Sequence, residues 1–252
     1  MNVLALETAT PQVGVALLGD GGLLAADRVA GGRRHGELLA PMVAALLGTA
    51  GLTVAELAAV AVDVGPGLFT GLRVGLATGQ ALSAALGIPG VGVTSLEALA
   101  HPHRRELGVI AAVVDARRHE VFRALYRGGG PGLVELSGPQ VATPADLAAE
   151  LAGLVGEGPV LAVGDGARRY AGVLAAPGVE VGGPLDAHPD PAVVAELAAV
   201  RLAGSRPGRG EVGTTRLVPV YLRQADVRIG WDRREGTGAE RGSDAEVGSG
   251  GG

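Results

Sequence analysis

The chain has 252 residues, enough for one large domain or two modest lobes, and 47% of them are hydrophobic, so a sizeable core can be buried. Its formal net charge is −5. This charge argues against a protein that binds nucleic acid alone through a basic surface, because phosphate neutralisation dominates such binding. Cysteine is absent, which excludes disulfides and thiolate metal sites.

The N-terminal residues lack the basic segment and long apolar core of a signal peptide. The longest apolar runs, such as residues 109–114, are far too short to span a bilayer. We therefore expect a soluble, cytoplasmic protein without a membrane partner. If RNA is involved, a partner protein should supply most of the contact.

The first part of the chain predicts a mixed sheet covered by helices. Three apolar runs joined by tight turns predict antiparallel strands. A helix, a strand, a second helix and a further strand follow, and Pro41 should be tolerated only near the first turn of its helix. These elements are expected at residues 3–6, 13–18, 23–29, 38–47, 59–64, 70–86 and 90–93.

A second α/β unit is predicted to begin near residue 107. We expect one lobe over residues 1–105 and a smaller one over residues 106–229, whose C-terminal helix can pack back on the first lobe. Residues 230–252 offer almost nothing to bury and should form a disordered tail. The predicted elements of the second unit are strands at 109–114, 121–126 and 160–163, helices at 144–155 and 191–203, and a last apolar segment at 218–222.

The most distinctive stretch is GPGLFTGLRVG at residues 65–75, which leaves a buried strand, turns and enters a helix. A strand, a glycine-rich loop and a helix N-terminus in this order can bind an anion through free backbone N–H groups. The alternative is a tight turn that needs glycine for its backbone conformation. Because no Lys-Ser/Thr phosphate-loop signature follows, the residues alone favour the tight turn.

The helix after this loop carries Gly71, Gly75 and Gly79 at four-residue spacing. Each glycine in a helix costs about 1 kcal/mol relative to alanine, so three on one face need a compensating gain. Small residues in a row allow another helix to approach closely. That helix can belong to the same chain or to a second protein, and both alternatives stay open.

Few polar residues suggest catalysis. Glu7 follows the first strand and Asp115 holds the matching place in the second half, which indicates a duplicated, ATPase-like architecture but is weak support for ATP hydrolysis. His101 and His103 could be read as a metal pair. Pro102 between them indicates a loop, and no nearby carboxylate or cysteine completes a site, so we expect exposed loop histidines.

Together these residues resemble the TsaB (YeaZ) family. The likeness is dense in the first half and sparse in the second. Glu7 and Leu68 depart from the Asp and Ser that are usual in the family, which weakens any independent nucleotide chemistry. The matching segments are LETAT at 6–10, RHGE at 34–37, GPGLFTGLR at 65–73, GIP at 87–89, VGVTSL at 91–96, DAR at 115–117, EVF at 120–122 and PVYLR at 219–223.

The resemblance implies two ribonuclease-H-like lobes of the actin, sugar-kinase and chaperone-ATPase (ASKHA) superfamily, with mixed sheets flanked by helices. It also implies a paralogue, TsaD, that transfers threonylcarbamoyl from its adenylate to tRNA adenosine and carries a His-x-x-x-His metal pair. Ser95 and Leu99 stand at the two ligand positions in this sequence. Leucine cannot bind a metal, so the resemblance implies neither a catalytic residue nor a metal site here.

The function implied is that of a non-catalytic partner of TsaD in the formation of N6-threonylcarbamoyladenosine (t6A), acting with the ATPase TsaE. ATP, ADP and metal are expected only in the assembled complex, and tRNA is expected to be contacted only through that complex. The binding surface carried over from the family falls on the first two helices. Its expected residues are Leu39, Met42, Val43, Leu46, Leu72, Gly75, Gly79 and Leu82.

Three alternatives stay open at this stage. An M22-type glycoprotease-like hydrolase would need a metal or a recognisable nucleophile. An ASKHA-type ATP-dependent phosphotransferase would need tight nucleotide binding by the isolated chain. A homodimeric scaffold would use the same apolar helices for self-association.

Overall fold

Ten strands and seven α-helices are found in the described residues, which are 1–30, 34–204 and 217–222 of this computed structural model. The first half contains β1 (Val3–Glu7), β2 (Val13–Gly19), β3 (Gly22–Val29), α1 (His35–Ala50), β4 (Ala59–Asp63), α2 (Phe69–Leu86), β5 (Gly90–Val93) and α3 (Ser95–Ala100). The second half contains β6 (Val109–Arg117), β7 (Glu120–Arg127), β8 (Val134–Ala142), α4 (Pro144–Leu154), β9 (Val160–Val163), α5 (Asp165–Arg169), α6 (Ala171–Leu174), β10 (Val179–Val181) and α7 (Pro191–Gly204).

Two five-stranded sheets share one topology. The first has the strand order β3-β2-β1-β4-β5 and the second has the order β8-β7-β6-β9-β10. In each sheet the first three strands are antiparallel neighbours, and the last two run parallel to the central strand. The repeat of this order in both halves indicates a duplicated architecture, and both sheets belong to one compact unit that ends at Leu222.

The first sheet is buried on both faces because its central strands are apolar at every position but the last. Leu4 and Leu6 of β1 pack with α1 and α2, whereas Val3 and Ala5 point to the opposite face. Side chains of successive strand residues alternate between faces, so a continuous apolar run is what a doubly covered sheet requires. The opposite face is covered by α7.

The second sheet shows the same alternation along its central strand. Val109, Ala111 and Val113 of β6 pack with α4 on one face. Ile110 and Val114, which alternate with these residues along the strand, pack on the other face with α3. Two helices therefore cross between the halves of the chain, because α3 follows the first sheet but covers the second, and α7 follows the second sheet but covers the first.

Several elements differ from the sequence-based expectation. Pro41 lies well inside α1, at its seventh residue, although we expected it to be tolerated only in the first turn. It sits on the exposed face of the helix, so the Glu37 carbonyl that loses its N–H partner can bond to water instead. Strand β8 was not predicted because Gly138 and Pro139 interrupt its pattern; proline is tolerated there because β8 is an edge strand.

The last described residues return to the first sheet. Leu217 is buried against α2, and the Val220 amide donates to the Val64 carbonyl oxygen at 2.8 Å. The predicted tail at residues 230–252 lies outside the described residues. Within the part of the chain that is described, no helix combines the length and hydropathy needed to cross a membrane.

Candidate functional site

Glu7 ends the central strand of the first sheet and is completely buried. Its Oε1 accepts hydrogen bonds from the Thr10 backbone amide at 3.2 Å and the Thr10 hydroxyl at 3.0 Å. Its Oε2 accepts from Gln12 Nε2 at 3.1 Å, and the same amide group donates to the Pro189 carbonyl oxygen at 2.9 Å. Glu7 is thereby tied to the segment that leads into α7.

Asp63 ends the neighbouring parallel strand β4 and is also completely buried. Its Oδ1 accepts from the Ser95 hydroxyl at 2.7 Å and from the Gly65 amide at 2.8 Å. Its Oδ2 is buried without a hydrogen-bond partner in the described structure. The sequence analysis missed Asp63, although an acidic residue at the end of an apolar run, beside a glycine-rich loop, was a usable signal.

Burial raises the pKa of both carboxyls. The pKa of Glu7 rises to about 8, first because burial penalises its charged form and then because Asp63 is nearby. The pKa of Asp63 rises to about 7 through burial, although the hydrogen bonds from Ser95 and Gly65 oppose the shift. Burial therefore shifts both groups toward the protonated form, in which the orphaned Oδ2 of Asp63 can carry a proton.

The glycine-rich loop is closed by the segment that follows β1. The Leu68 amide, at the N-terminus of α2, donates to the Ala9 carbonyl oxygen at 2.7 Å. A Cβ on Gly67 would overlap that carbonyl group, and a Cβ on Gly71 would overlap the Thr8 carbonyl oxygen. Thr8 in turn donates its hydroxyl to the Gly71 carbonyl oxygen at 2.9 Å. The glycines permit close packing between these two segments, which agrees with the tight-turn interpretation.

His35, the first residue of α1, seals the same region from the other side. It is buried, and its Nε2 donates to the Thr10 carbonyl oxygen at 2.8 Å. The RHGE and LETAT segments that carried the family resemblance therefore meet in space. They hold the loop of residues 8–10 against α2.

Ser95 and Leu99, which stand where TsaD is expected to carry its metal pair, make other interactions in this chain. Ser95 is held by Asp63, and Leu99 is only 3% exposed and packs in the apolar layer between α3 and the second sheet. Among the described residues, no group of three or more His, Cys, Asp or Glu side chains is arranged to hold a metal ion.

Asp115 occupies in β6 the place that Glu7 occupies in β1. Its Oδ2 pairs with Arg117 at 2.9 Å and with Arg169 at 3.4 Å, and its backbone amide donates to Asp165 Oδ1 at 2.9 Å. Burial raises the pKa of Asp165 and lowers that of His188, which stands near it. The two acids thus have different surroundings: Glu7 is buried and accepts hydrogen bonds from uncharged groups, whereas Asp115 is paired with arginine.

The predicted exposed loop histidines are half-buried instead. His101 and His103 lie on a short 3-10 turn after α3. His103 Nδ1 lies 2.8 Å from Glu106 and its Nε2 lies 3.3 Å from Asp186, so its ring joins the turn to the segment before α7. These polar partners satisfy both ring nitrogens, so the ring can be withdrawn from water.

The eight residues predicted to bind a partner lie together on α1 and α2, but their side chains face the chain's own core. Leu82 is half-buried, and the others are buried. A Cβ on Gly75 would overlap the Thr8 hydroxyl, and one on Gly79 would overlap Val62. Both glycines face the chain's own sheet, so internal packing requires their small size; binding of a second protein by this set stays a prediction. The full set is Leu39, Met42, Val43, Leu46, Leu72, Gly75, Gly79 and Leu82.

An exposed aromatic cluster at the start of α2 was missed by the sequence analysis. Phe69 is 42% exposed and Tyr221 is 47% exposed, and their ring centroids are 5.5 Å apart. The Arg73 guanidinium lies 3.7 Å from the Phe69 ring centroid. The cluster joins residues far apart in the sequence, so no local pattern could reveal it.

The paired mixed sheets with their shared strand order define a two-lobed protein of the ASKHA class. The family model described as TsaD, tRNA N6-adenosine threonylcarbamoyltransferase, matches residues 29–163. A Mycobacterium tuberculosis protein described as uncharacterized is 40% identical over 229 residues, which cover 90% of this chain and 94% of the relative. The Escherichia coli tRNA threonylcarbamoyladenosine biosynthesis protein TsaB is 36% identical over 129 residues, covering 50% of this chain and 55% of that protein.

Solved structures agree with these sequence relatives. YeaZ from Pseudomonas aeruginosa superposes with a TM-score of 0.72 at 29% identity, covering 88% of this chain and 99% of that one. A structure described as an uncharacterized protein with similarity to peptidase YeaZ from the same organism gives a TM-score of 0.73 at 30% identity, with the same coverage. The chain belongs to the TsaB (YeaZ) family.

The packing of Gly79 predicts a loss of stability on substitution. Gly79→Leu should lower the melting temperature by several degrees, because overpacking a core costs about 1–3 kcal/mol. Ala81→Leu, at an exposed position of the same helix, is the matched control and should melt as the wild type does. Thermal melts followed by circular dichroism test this; a Gly79→Leu variant as stable as the control would contradict the packing described.

The raised carboxyl pKa values predict that stability falls with rising pH. The ordinary pKa values of Glu7 and Asp63 are 4.5 and 3.8. The folded chain therefore binds more protons than the unfolded chain between about pH 4 and pH 8, and this contribution to stability is lost as the pH rises through that window. Asp63→Asn keeps the Oδ1 acceptor, removes one ionisable group and should flatten the decline.

Melting temperatures at about pH 5 and about pH 8 measure this effect. Asp27→Asn, which changes an exposed carboxylate on β3, should keep the wild-type pH dependence. An Asp63→Asn variant whose melting temperature falls as steeply as that of the wild type would show that the buried pair does not titrate in this range.

Proposed function

We propose that the chain is a cytoplasmic, non-catalytic subunit that binds a TsaD-type transferase and supports t6A formation in tRNA together with a TsaE-type ATPase. Family membership supports the pathway, since a relative is described as a t6A biosynthesis protein. The absence of a catalytic role is supported by what the residues at the metal-pair positions do. ATP, ADP and metal would act in the assembled complex.

The single observation that carries the non-catalytic role is what the Ser95 and Leu99 side chains contact. Ser95 Oγ donates to a buried carboxylate, and the Leu99 side chain is an apolar component of the second sheet's cover. Metal ligation needs an accessible nitrogen, sulfur or oxygen donor with a free lone pair aimed at the ion. Leu99 has no donor at all, so this pair cannot replace the His-x-x-x-His of TsaD.

The closed loop argues against the phosphotransferase alternative. Binding of phosphate at a helix N-terminus uses backbone N–H groups that have no other partner. Here the amide of Leu68, the residue just before α2, already donates to the Ala9 carbonyl oxygen, and Gly67 and Gly71 lie against the backbone of Ala9 and Thr8. A nucleotide phosphate would have to displace Ala9 to reach the Leu68 amide.

The outer face of α1 and α2 suits a partner made of helices. These two helices pack side by side, and the exposed positions between the buried ones include seven alanines. Small side chains allow two helix backbones to approach closely. The positions on this face are Ala40, Ala44 and Ala45 of α1 and Ala77, Ala81, Ala84 and Ala85 of α2.

The aromatic cluster lies at one end of the same face. Aromatic residues and arginine are enriched at the energetic centres of protein interfaces. Phe69 and Arg73 belong to α2, and Tyr221 adds a second ring beside them. We therefore assign Phe69, Arg73 and Tyr221 to the partner surface, next to the alanine positions.

Ala81→Arg tests this surface. A long charged side chain at an exposed position should leave the fold intact, but it would hold a docking helix away and should weaken binding of the TsaD-type partner at least about 10-fold. Val200→Arg, at an exposed position of α7 on the opposite face of the sheet, is the matched control. Calorimetric titration with the partner and tRNA modification by the mixture are the two readouts.

Ala81→Arg should fail in both assays, whereas Val200→Arg should behave as the wild type. Equal affinity of the two variants would place the partner elsewhere. Wild-type self-association that Ala81→Arg abolishes, with no effect on the partner, would instead favour the homodimeric scaffold.

A further inference from the structure

The turn between β6 and β7 has an unusual backbone for its residues. Arg117, Arg118 and His119 have φ angles of 62°, 54° and 61°. In the described part of the chain, these three are the only residues other than glycine with positive φ. They are consecutive, and all three are exposed.

This backbone is one that a short hairpin needs, but the residues are not those it favours. Arg117 pairs with Glu120, so only two residues connect the strands, and tight turns of this kind require positive φ at both central positions. Glycine and asparagine are the usual solution. The sequence has 44 glycines, yet it places arginine and histidine here at a cost in strain. Such strain is often associated with function, so the side chains themselves need an explanation.

A buried carboxylate organises two of the arginines in this region. The Asp115 side chain is only 4% exposed and pairs with both Arg117 and Arg169, whose own side chains are 52% and 54% exposed. A guanidinium has five N–H donors, so each arginine keeps donors for a further acceptor. The nearby Asp165 is half-buried, and its Oδ1 accepts from the Asp115 backbone amide. The exposed groups at this rim are therefore mainly cationic, on a chain whose net charge is −5.

We propose that Arg117, Arg118 and Arg169, the arginine rim, bind the phosphate backbone of tRNA when this chain is part of the transferase complex. This inference rests on the proposed function and adds to it a direct contact with RNA. Guanidinium groups pair with phosphate in a bidentate manner, and contacts with an RNA backbone position the substrate without reading its sequence. Three such contacts are too few for tight binding alone, which agrees with a partner that supplies the rest.

RNA fits this rim better than a free nucleotide does. A mononucleotide needs a concave site that encloses its base and ribose. A cavity of about 460 Å³ lies at the opposite, amino-terminal end of β6, and it carries the carboxylates of Glu106 and Glu180, which would repel phosphate. The arginine rim sits on a protruding turn and a short helix, a geometry suited to an extended polyanion.

The experiment measures the affinity of the complex between the chain and the TsaD-type partner for an unmodified tRNA transcript, by fluorescence anisotropy over a range of salt concentrations. The test variants are Arg118→Gly and the double variant Arg118→Gly, Arg169→Ala. Glycine suits the backbone at position 118, so neither variant is expected to unfold the turn. We expect binding to weaken about threefold for the single variant and about 10-fold for the double variant, with the salt slope falling by about 0.7–0.9 for each arginine–phosphate pair that the substitution removes.

Two controls separate charge from strain. His119→Gly relieves strain at the neighbouring position but keeps the arginines, so it should raise the melting temperature and leave tRNA affinity unchanged. Arg105→Ala removes one exposed arginine at the other end of β6 and should also bind tRNA normally. All variants should bind the TsaD-type partner with wild-type affinity.

The inference is overturned if the double variant binds tRNA with unchanged affinity and salt slope. It is also overturned if Arg118→Gly weakens partner binding instead, which would make the rim a protein contact, or if ATP competes with tRNA at the rim. Failure of the wild-type chain to join the transferase would overturn the proposed function, and the inference with it; that result is distinguishable because partner binding is measured separately.

Discussion

The close contact between residues 8–10 and the start of α2 is the constraint on which the first lobe depends. Three glycines, Gly67, Gly71 and Gly75, leave no side chain between the helix and the loop after β1. The contact brings the end of the central strand, the glycine-rich loop and the first turn of α1 into one packed unit. It also pairs the Leu68 amide, just before α2, with the Ala9 carbonyl oxygen. The same contact therefore explains why glycine is needed at these positions.

A pair of buried acids links the first sheet to the rest of the chain. Glu7 and Asp63 end adjacent parallel strands, where ligands usually bind in sheets of this kind. Both are enclosed by hydrogen bonds from their own chain. Gln12 links Glu7 to the segment before α7, and Ser95 links Asp63 to α3, the helix that covers the second sheet. The two acids thus connect the first sheet to α3 and to the segment before α7.

The sequence predicted the elements of the first lobe well because local signals are strong there. The buried strands are continuous apolar runs, and the glycines before α2 indicate a turn that leads into a helix. The role of Gly79 was harder to predict. The four-residue spacing of the glycines shows that one face of α2 has small side chains, but it does not show which element packs against that face. That answer depended on Val62, which comes from a strand 17 residues earlier. The cluster of Phe69, Arg73 and Tyr221 could not be predicted either, because Tyr221 is far from the other two residues in the sequence.

The two lobes have different surfaces, and the two proposed contacts fall on different lobes. The first lobe turns its helices α1 and α2 outward with small side chains and an aromatic end, features that suit a protein partner. The second lobe has a cationic rim around Asp115, where the first lobe has a buried acid pair. A subunit that binds the TsaD-type partner through one lobe and tRNA through the other would help to position the tRNA relative to that partner. Its contribution would then be to binding and positioning rather than to chemistry.

The most direct measurement of the central claim is a reconstituted tRNA-modification assay with the cognate TsaD-type and TsaE-type proteins, threonylcarbamoyl adenylate and unmodified tRNA. The account predicts that this chain alone forms no t6A and that adding it to the other two proteins restores turnover. Formation of t6A by this chain in the absence of the TsaD-type protein, or full turnover by the other proteins without it, would contradict the account.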